Sequence, residues 1–306
     1  MYPAINLDTN AGAQHRPSLD RRLIGTMSSM PTANGKPYIE MDIGYRYHGV
    51  WIDYAATTLA LSSMTFNWSI NGSKFQTYTG DQRDSWNQHD RLLAASANTG
   101  SLFLPFMRMG MKDYREAFAT SINTGAQSRN TPQAPNGVDS LRLDMVFDGN
   151  PSAIAKFDVY ALTSACNPEQ STVVEHIDQW TETLGTSGTG VINKFARRLS
   201  TQGDATHQYL KRLWLQDTAA HLTRLTMTVN GDDVHDFPTA LTNIDAQDQG
   251  VRTPQSGWQF WDGGMWGEGD RLIDLYNNQK VDVRVTAVTG ASSPLTIVTE
   301  TLGPAH

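Results

Sequence analysis

The sequence predicts an all-β protein made of two copies of one antiparallel β domain. Charged residues are 18% of its 306 residues, below the usual ~25%. Ser, Thr, Asn, Gln and Gly take their place, which is typical of β-rich proteins with polar turns. Short predicted strands follow one another with turn residues between them, which indicates a sandwich or a barrel and not a parallel α/β sheet. The length indicates about two domains.

The first half of the chain contains a series of predicted strands. Residues 45–52 are aromatic and β-branched, and residues 64–70 alternate apolar and polar side chains, the period of a half-buried strand. Asn71-Gly72 is a hairpin turn signal, so residues 74–78 are expected to return beside 64–70. The remaining strands are predicted at 102–106, where Pro105 indicates a sheet edge or a strand end, at 141–147 and at 156–161.

Helices and connecting segments are predicted between and after these strands. Residues 84–97 place apolar side chains on one helical side, and residues 113–120 are predicted to form a short helix. Residues 171–184 combine a capping Ser171 with a helical apolar face, which predicts a third helix. The Gly/Ser/Thr run at 185–190 is predicted to be a linker. Residues 1–19 have no periodicity and are predicted to form an extended arm.

The order of the strands recurs in the second half of the chain. Four segments of the first half have counterparts: 50–52 in 213–215, 67–72 in 226–231, 141–147 in 281–287, and the strand at 157 in 295–299. The spacing between matching segments shortens from the first match to the last, so the order is kept while the loops shrink. Four matches in one order predict a duplicated domain.

The charge balance and the cysteine content exclude several classes of function. The net charge is −7, without the basic face that nucleic-acid binders present, so no direct nucleic-acid binding is expected. Cys166 is the one cysteine, which excludes a disulfide within the chain and a cysteine-based zinc site. No run reaches the ~18 apolar residues that span a membrane. The opening residues lack the apolar region of a signal peptide, which favours synthesis in a reducing cytoplasm.

Catalytic and cofactor-binding motifs are missing, so no enzyme activity and no catalytic residue are predicted. The run 185–189 departs from the hydrolase nucleophile elbow at Thr189. The run 188–193 lacks the third glycine of a dinucleotide fingerprint, because residue 193 is Asn. Residues 232–236, Asp-Asp-Val-His-Asp, carry carboxylates that suit calcium, but their spacing is not that of an EF-hand, and a solvated hairpin is expected. Paired carboxylates for glycoside hydrolysis depend on the fold and stay open.

The segment 257–267 packs three Trp and one Phe among glycines. Trp258, Phe260, Trp261 and Trp266 are the candidates for an interface between subunits or for packing within the chain, since aromatic side chains are enriched at interfaces. Stacking on sugar rings is the alternative. It would fit a second class of function, a carbohydrate-binding or glycan-cleaving β-sandwich protein such as a viral spike.

Three segments carry a likeness to a known family. They are residues 42–50 (DIGYRYHGV), residues 195–199 (FARRL), and the strand 222–229 with its Asn230-Gly231 turn. With the duplication, they resemble the double jelly-roll major capsid proteins of membrane-containing icosahedral viruses, and the small coat proteins of the corticovirus type in particular. The likeness covers most of residues 38–302 as a pattern of strands. The arm and the Trp-rich segment have no counterpart in it.

The resemblance implies both an architecture and a set of partners. Two antiparallel eight-stranded jelly rolls would stand side by side, with short helices in loops. Three chains would form a homotrimer, a pseudo-hexameric capsomer of a bacteriophage shell. Neighbouring capsomers, penton or minor capsid proteins and an internal viral membrane would be its partners. No cofactor is implied except calcium, to which no ligand residues are assigned. The expected limits are 1–19 for the arm, 20–168 and 191–306 for the jelly rolls, and 169–190 for a linker with a helix.

Overall fold

A computed structural model of the chain describes most of the residues after the N-terminal arm. The described residues are 19–26, 37–95, 99–124, 137–148, 156–166, 173–185, 191–195, 199, 207–218, 220–248, 252–265, 271–277, 280–288 and 294–305. The chain divides into two compact units. The first unit comprises residues 1–88, 92–175 and 304–306, and the second comprises residues 89–91 and 176–303.

The first unit consists of two antiparallel sheets and short helices. Its elements are β1 (Asp20–Thr26), β2 (Tyr38–Glu40), β3 (Tyr45–Ala55), a 3-10 turn (Leu61–Ser63), β4 (Met64–Ile70), β5 (Ser73–Thr79), α1 (Gly80–His89), β6 (Thr99–Pro105), α2 (Tyr114–Ala117), β7 (Ile122–Asn123), β8 (Leu141–Phe147) and β9 (Lys156–Ala165). One sheet has the order β1-β9-β3-β6, with β7 also beside β3, and the other has the order β5-β4-β8-β2. Alternating burial along β4 and β8 directs Phe66, Trp68, Leu143 and Phe147 into the core.

The second unit has the same architecture. The strand β10 (Val173–Glu182) runs from the first unit into the second. It is followed by β11 (Val191–Lys194), β12 (Tyr209–Gln216), β13 (Leu222–Val229), β14 (Asp232–Pro238), α3 (Thr239–Asp248), β15 (Trp258–Asp262), β16 (Ile273–Asp274), β17 (Val281–Ala287) and β18 (Leu295–Pro304). One sheet has the order β15-β12-β18-β10, with β16 also beside β12, and the other has the order β11-β17-β13-β14.

The pairing of strands is repeated from one unit to the next. β3 pairs with β6, β7 and β9 as β12 pairs with β15, β16 and β18, and β4 lies between β5 and β8 as β13 lies between β14 and β17. β1 beside β9 and β10 beside β18 are counterparts, as are β2 beside β8 and β11 beside β17. Even the β-bulges recur: the register shifts at His48 and at its counterpart Lys211, and again at Phe75 and at its counterpart Val234. The predicted duplication is confirmed.

The two Asn-Gly turns form as the sequence predicts. Asn71 and Gly72 have φ values of 51° and 82°, and Asn230 and Gly231 have values of 52° and 102°. Two successive residues with positive φ match the right-handed twist of a hairpin, and Asn and Gly tolerate this conformation best. The turns therefore set the same strand register in β4–β5 and in β13–β14.

The predicted helix at 171–184 is wrong, because this segment contains β10 (Val173–Glu182). The β-branched side chains of Val173, Val174 and Ile177 favour an extended chain, and pairing with β18 satisfies the backbone. The linker with a helix predicted at 169–190 thus contains the first strand of the second unit. The linker residues 186–190 and residues 1–18 of the predicted arm lie outside the described residues.

The other two helices exist with shifted ends. α1 begins at Gly80 and ends at His89, whereas the sequence predicts 84–97. Arg91 has a φ of 65°, and a residue in this left-handed region stops a helix. α2 is confined to Tyr114–Ala117 within the expected 113–120. Pro105 ends β6 at a sheet edge, as predicted.

Candidate assembly surface

The aromatic segment of the second unit is a buried strand. Trp258, Phe260 and Trp261 belong to β15, where they are 8%, 1% and 9% exposed. These three residues pack within the chain, one of the two roles expected for them: Trp261 lies in the core of the second unit, and Trp258 and Phe260 pack against Trp214 of the neighbouring β12. Trp266 lies outside the described residues. Contacts of these four residues with another chain stay a prediction.

A buried ionic cluster holds β12 and β15 in place. Both Nη atoms of Arg212 donate to Asp90, at 2.9 and 2.6 Å, and its Nε lies 3.0 Å from Asp262 Oδ2. Arg252 Nε donates to the same Asp262 oxygen at 2.7 Å. On the other side, Glu300 lies 2.9 Å from Lys211 Nζ and accepts from Trp214 Nε1 at 2.7 Å. Buried charges of this kind persist only when each has a partner.

The pKa values of the acids in this cluster follow from their neighbours. Burial by itself raises the pKa of Asp262, but Arg212 and Arg252 together hold it well below its usual range. The same two cations lower the pKa of Asp90 against the effect of burial. The imidazole of His89 packs edge-on against Trp214 and Phe260, and burial lowers its pKa. These directions favour charged carboxylates at Asp90 and Asp262 and a neutral imidazole at His89.

A groove of about 740 Å³ in the second unit is lined by β14, α3, the end of β15 and residues 271–273. Its walls include Val234, Phe237, Leu241 and Ile244, which are 45–52% exposed, and Trp261 lies in its lining. Asp245, Asp248 and Arg271 add charge to the lining. Exposed apolar patches of this kind mark sites of interaction between proteins. The sequence analysis missed these residues, although Leu241 and Ile244 stand at the i, i+3 spacing of a helical face.

The acidic turn forms the start of β14 and contains one close, solvent-exposed ion pair. Arg224 Nε and Thr226 Oγ1 donate to Asp236 Oδ1 at 2.6 and 2.7 Å, and these hydrogen bonds hold the pKa of Asp236 well below its usual range. Asp232 and Asp233 are exposed at the start of β14. In the described part of the chain, no three His, Cys, Asp or Glu side chains gather as a metal site.

Burial also shifts the pKa values of His48 and Cys166. His48 lies buried between Ser121 Oγ at 2.8 Å and Ser164 Oγ at 2.9 Å, and burial, helped by Arg46, lowers its pKa to about 3. Burial raises the pKa of the Cys166 thiol, the opposite of what activates a nucleophile. Within the described ranges, no helix is long and apolar enough to cross a membrane.

Two family models match the chain. The viral coat protein P2 N-terminal domain matches residues 29–164, and the viral coat protein P2 C-terminal domain matches residues 185–305. The chain belongs to the viral coat protein P2 family. This coat protein is therefore a structural protein of the virion capsid and not an enzyme, and it assembles into a viral shell with other capsid subunits.

Solved structures share the fold of this coat protein. It is similar to the major capsid protein P2 from Bacteriophage PM2, with a TM-score of 0.76 and 13% identity over 94% of this chain and 97% of that one. It is similar to a chain of the PBCV-1 virus capsid (TM-score 0.59, 11% identity, 96% of each chain) and to the Faustovirus major capsid protein (TM-score 0.55, 7% identity, 96% and 91%). No curated protein sequence matches the chain. The predicted double jelly roll and the resemblance to corticovirus-type coat proteins are confirmed.

Proposed function

We propose that three copies of this coat protein form a pseudo-hexameric capsomer, which tiles the hexagonal positions of an icosahedral bacteriophage shell around a lipid membrane. One observation carries the proposal: the two units repeat the same strand pairing, down to the position of their β-bulges. One chain therefore contributes two similar wedges. Rotating it twice by 120° gives six wedges and a closed cyclic interface.

The proposed capsomer has further partners. Neighbouring capsomers and penton or minor capsid proteins would meet its outer flanks, and the predicted arm at 1–19 is the proposed contact with the membrane. The limits of the jelly rolls, 20–168 and 191–306, stay proposals. β10 (Val173–Glu182) lies before residue 191, the proposed start of the second jelly roll. Calcium stays without assigned ligands.

Native mass spectrometry tests the trimer. The expected species has a mass of about 101 kDa, three times the 33.8 kDa of one chain. A clean monomer at micromolar concentration would contradict the proposal. Electron microscopy of particles containing this chain tests the shell. Hexagonal capsomers around a lipid bilayer are expected. Particles without a bilayer would contradict the proposal that the shell encloses a membrane.

A further inference from the structure

We propose that the groove lined by β14, α3 and β15 of one copy holds β1 of a second copy. The proposal rests on the proposed trimer and names the two surfaces that join its chains. It follows from the different surroundings of two repeated elements, from the exposed apolar residues of β14 and α3, and from the side chains that β1 presents.

The repeated elements are β5–α1 in the first unit and β14–α3 in the second. In β5, Phe75 and Tyr78 are 7% and 1% exposed. Their counterparts in β14, Val234 and Phe237, are 48% and 45% exposed. Part of this difference arises within each unit, because Tyr78 packs edge-on against Trp86 of α1, whereas the same position of α3 is Asp245. Among the described residues, the apolar face of β14 is therefore less covered than that of β5.

The neighbour of β5 in its sheet indicates which element belongs beside β14. Within the first unit, the edge of β5 is met by the start of β10, and Gln76 Nε2 donates to the Glu175 carbonyl at 2.7 Å. In the described structure, β14 is the last strand of its sheet. Because β10 is the counterpart of β1, the repeat assigns the place beside β14 to a strand β1. Each chain contributes one β1 and one β14. The β14 strand of each copy can therefore lie beside the β1 strand of the next copy, and this series of contacts closes into a ring.

The chemistry of β1 suits the groove. β1 is the last strand of its own sheet among the described residues, and Leu19, Arg21 and Leu23 are exposed at alternate positions, so they share one face. The two leucines match the apolar walls at Leu241 and Ile244. The groove lining offers the carboxylates of Asp245 and Asp248 to Arg21. These two carboxylates outnumber the single guanidinium of the lining, that of Arg271. Opposite charges across an apolar contact set the register of an interface.

A single substitution tests the groove. Ile244→Lys places a charge in its wall and is expected to raise the concentration at which the trimer dissociates at least tenfold, measured by analytical ultracentrifugation. Ile192→Lys is the matched control, because Ile192 is also an exposed apolar residue of the second unit, 66% exposed in β11. It should leave the trimer unchanged. Both residues are exposed, so both variants should keep the circular dichroism spectrum and melting temperature of the parent monomer fold.

A charge exchange tests the occupant. Asp245→Arg combined with Asp248→Arg should weaken the trimer at least tenfold, and adding Arg21→Glu should restore most of the loss. If Arg21→Glu weakens the trimer further, β1 is not the occupant. Hydrogen exchange should show the backbone of residues 232–248 protected in the trimer and unprotected in the Ile244→Lys variant. Protection that persists in monomers would mean that the chain covers its own groove, which overturns the proposal.

The outcomes separate this inference from the proposed function. A parent chain that is monomeric contradicts the trimer itself. A parent trimer that Ile244→Lys leaves intact contradicts only the groove, and the pseudo-hexameric capsomer stands.

Discussion

Phe75 and Val234 occupy the same position of the repeated domain, each as the extra residue at the β-bulge that follows an Asn-Gly turn. Phe75 is 7% exposed and Val234 is 48% exposed. Their backbones match, so the difference lies in what covers them. Among the described residues, this pair distinguishes the two jelly rolls: β10 lies beside β5, whereas β14 is the last strand of its sheet and leaves Val234 exposed.

The ionic cluster predicts a large cost for removing one cation. Arg212→Met leaves Asp90 and Asp262 buried with fewer partners and should lower the free energy of unfolding by about 3–5 kcal/mol. Urea denaturation measures this loss. Arg224→Met is the control, because the pair of Arg224 with Asp236 is exposed to solvent and contributes little. Equal losses in the two variants would contradict a special role for the cluster.

Burial of His48 predicts a dependence of stability on pH. Its pKa is about 3 in the folded chain and about 6.5 when unfolded. Above pH 6.5 neither state binds the proton. Below it the unfolded chain does, so the folded state loses about 1.4 kcal/mol per pH unit from this group until pH approaches 3.

Comparison with His48→Gln isolates that contribution, because the other titrating groups are shared. The difference in free energy of unfolding between the native chain and this variant should change by about 1.4 kcal/mol per unit between pH 6.5 and 4.5, with the native chain losing more. Urea titrations at pH 7.5, 6.5, 5.5 and 4.5 measure it. Parallel curves would show that His48 does not resist protonation.

The acidic turn is expected to tolerate substitution. Asp233 is exposed at the start of β14, so Asp233→Asn should change the free energy of unfolding by less than about 0.5 kcal/mol. Thermal melts with and without calcium provide the measurement. A loss of several kcal/mol, or a loss seen only when calcium is present, would identify an ion site at this turn.

The two tryptophans of β15 are expected to differ in their effect on assembly. Trp261 belongs to the core of the second unit and also lines the groove, so Trp261→Ala should lower stability by about 3–5 kcal/mol and weaken the trimer as well. Trp258 lies on the same strand outside the lining, and Trp258→Ala should affect stability alone. Ultracentrifugation of both variants below their melting temperatures separates the effects. A fully trimeric Trp261→Ala variant would remove Trp261 from the interface candidates.

Several features were predictable because they depend on neighbours in the chain. The alternation in β4 and the Asn-Gly turns that follow β4 and β13 are local signals, and both units repeat them. The same local reasoning failed at β10, where apolar residues satisfied a helical face as well as a strand. Short apolar segments fit a helix and a strand equally well. In β10, pairing with β18 stabilises the strand.

The sequence by itself determined the β class, the duplication and the family, because strand periodicity, turn residues and their order are properties of the linear chain. Only the tertiary structure decided which side chains are covered. Asp90, Arg212, Arg252 and Asp262 become partners because distant strands and loops converge. Trp261 is buried in the core of the second unit, and Trp258 is buried against Trp214 of β12. Val234 is exposed although Phe75 is not, since burial depends on what packs against a residue, and periodicity does not record that.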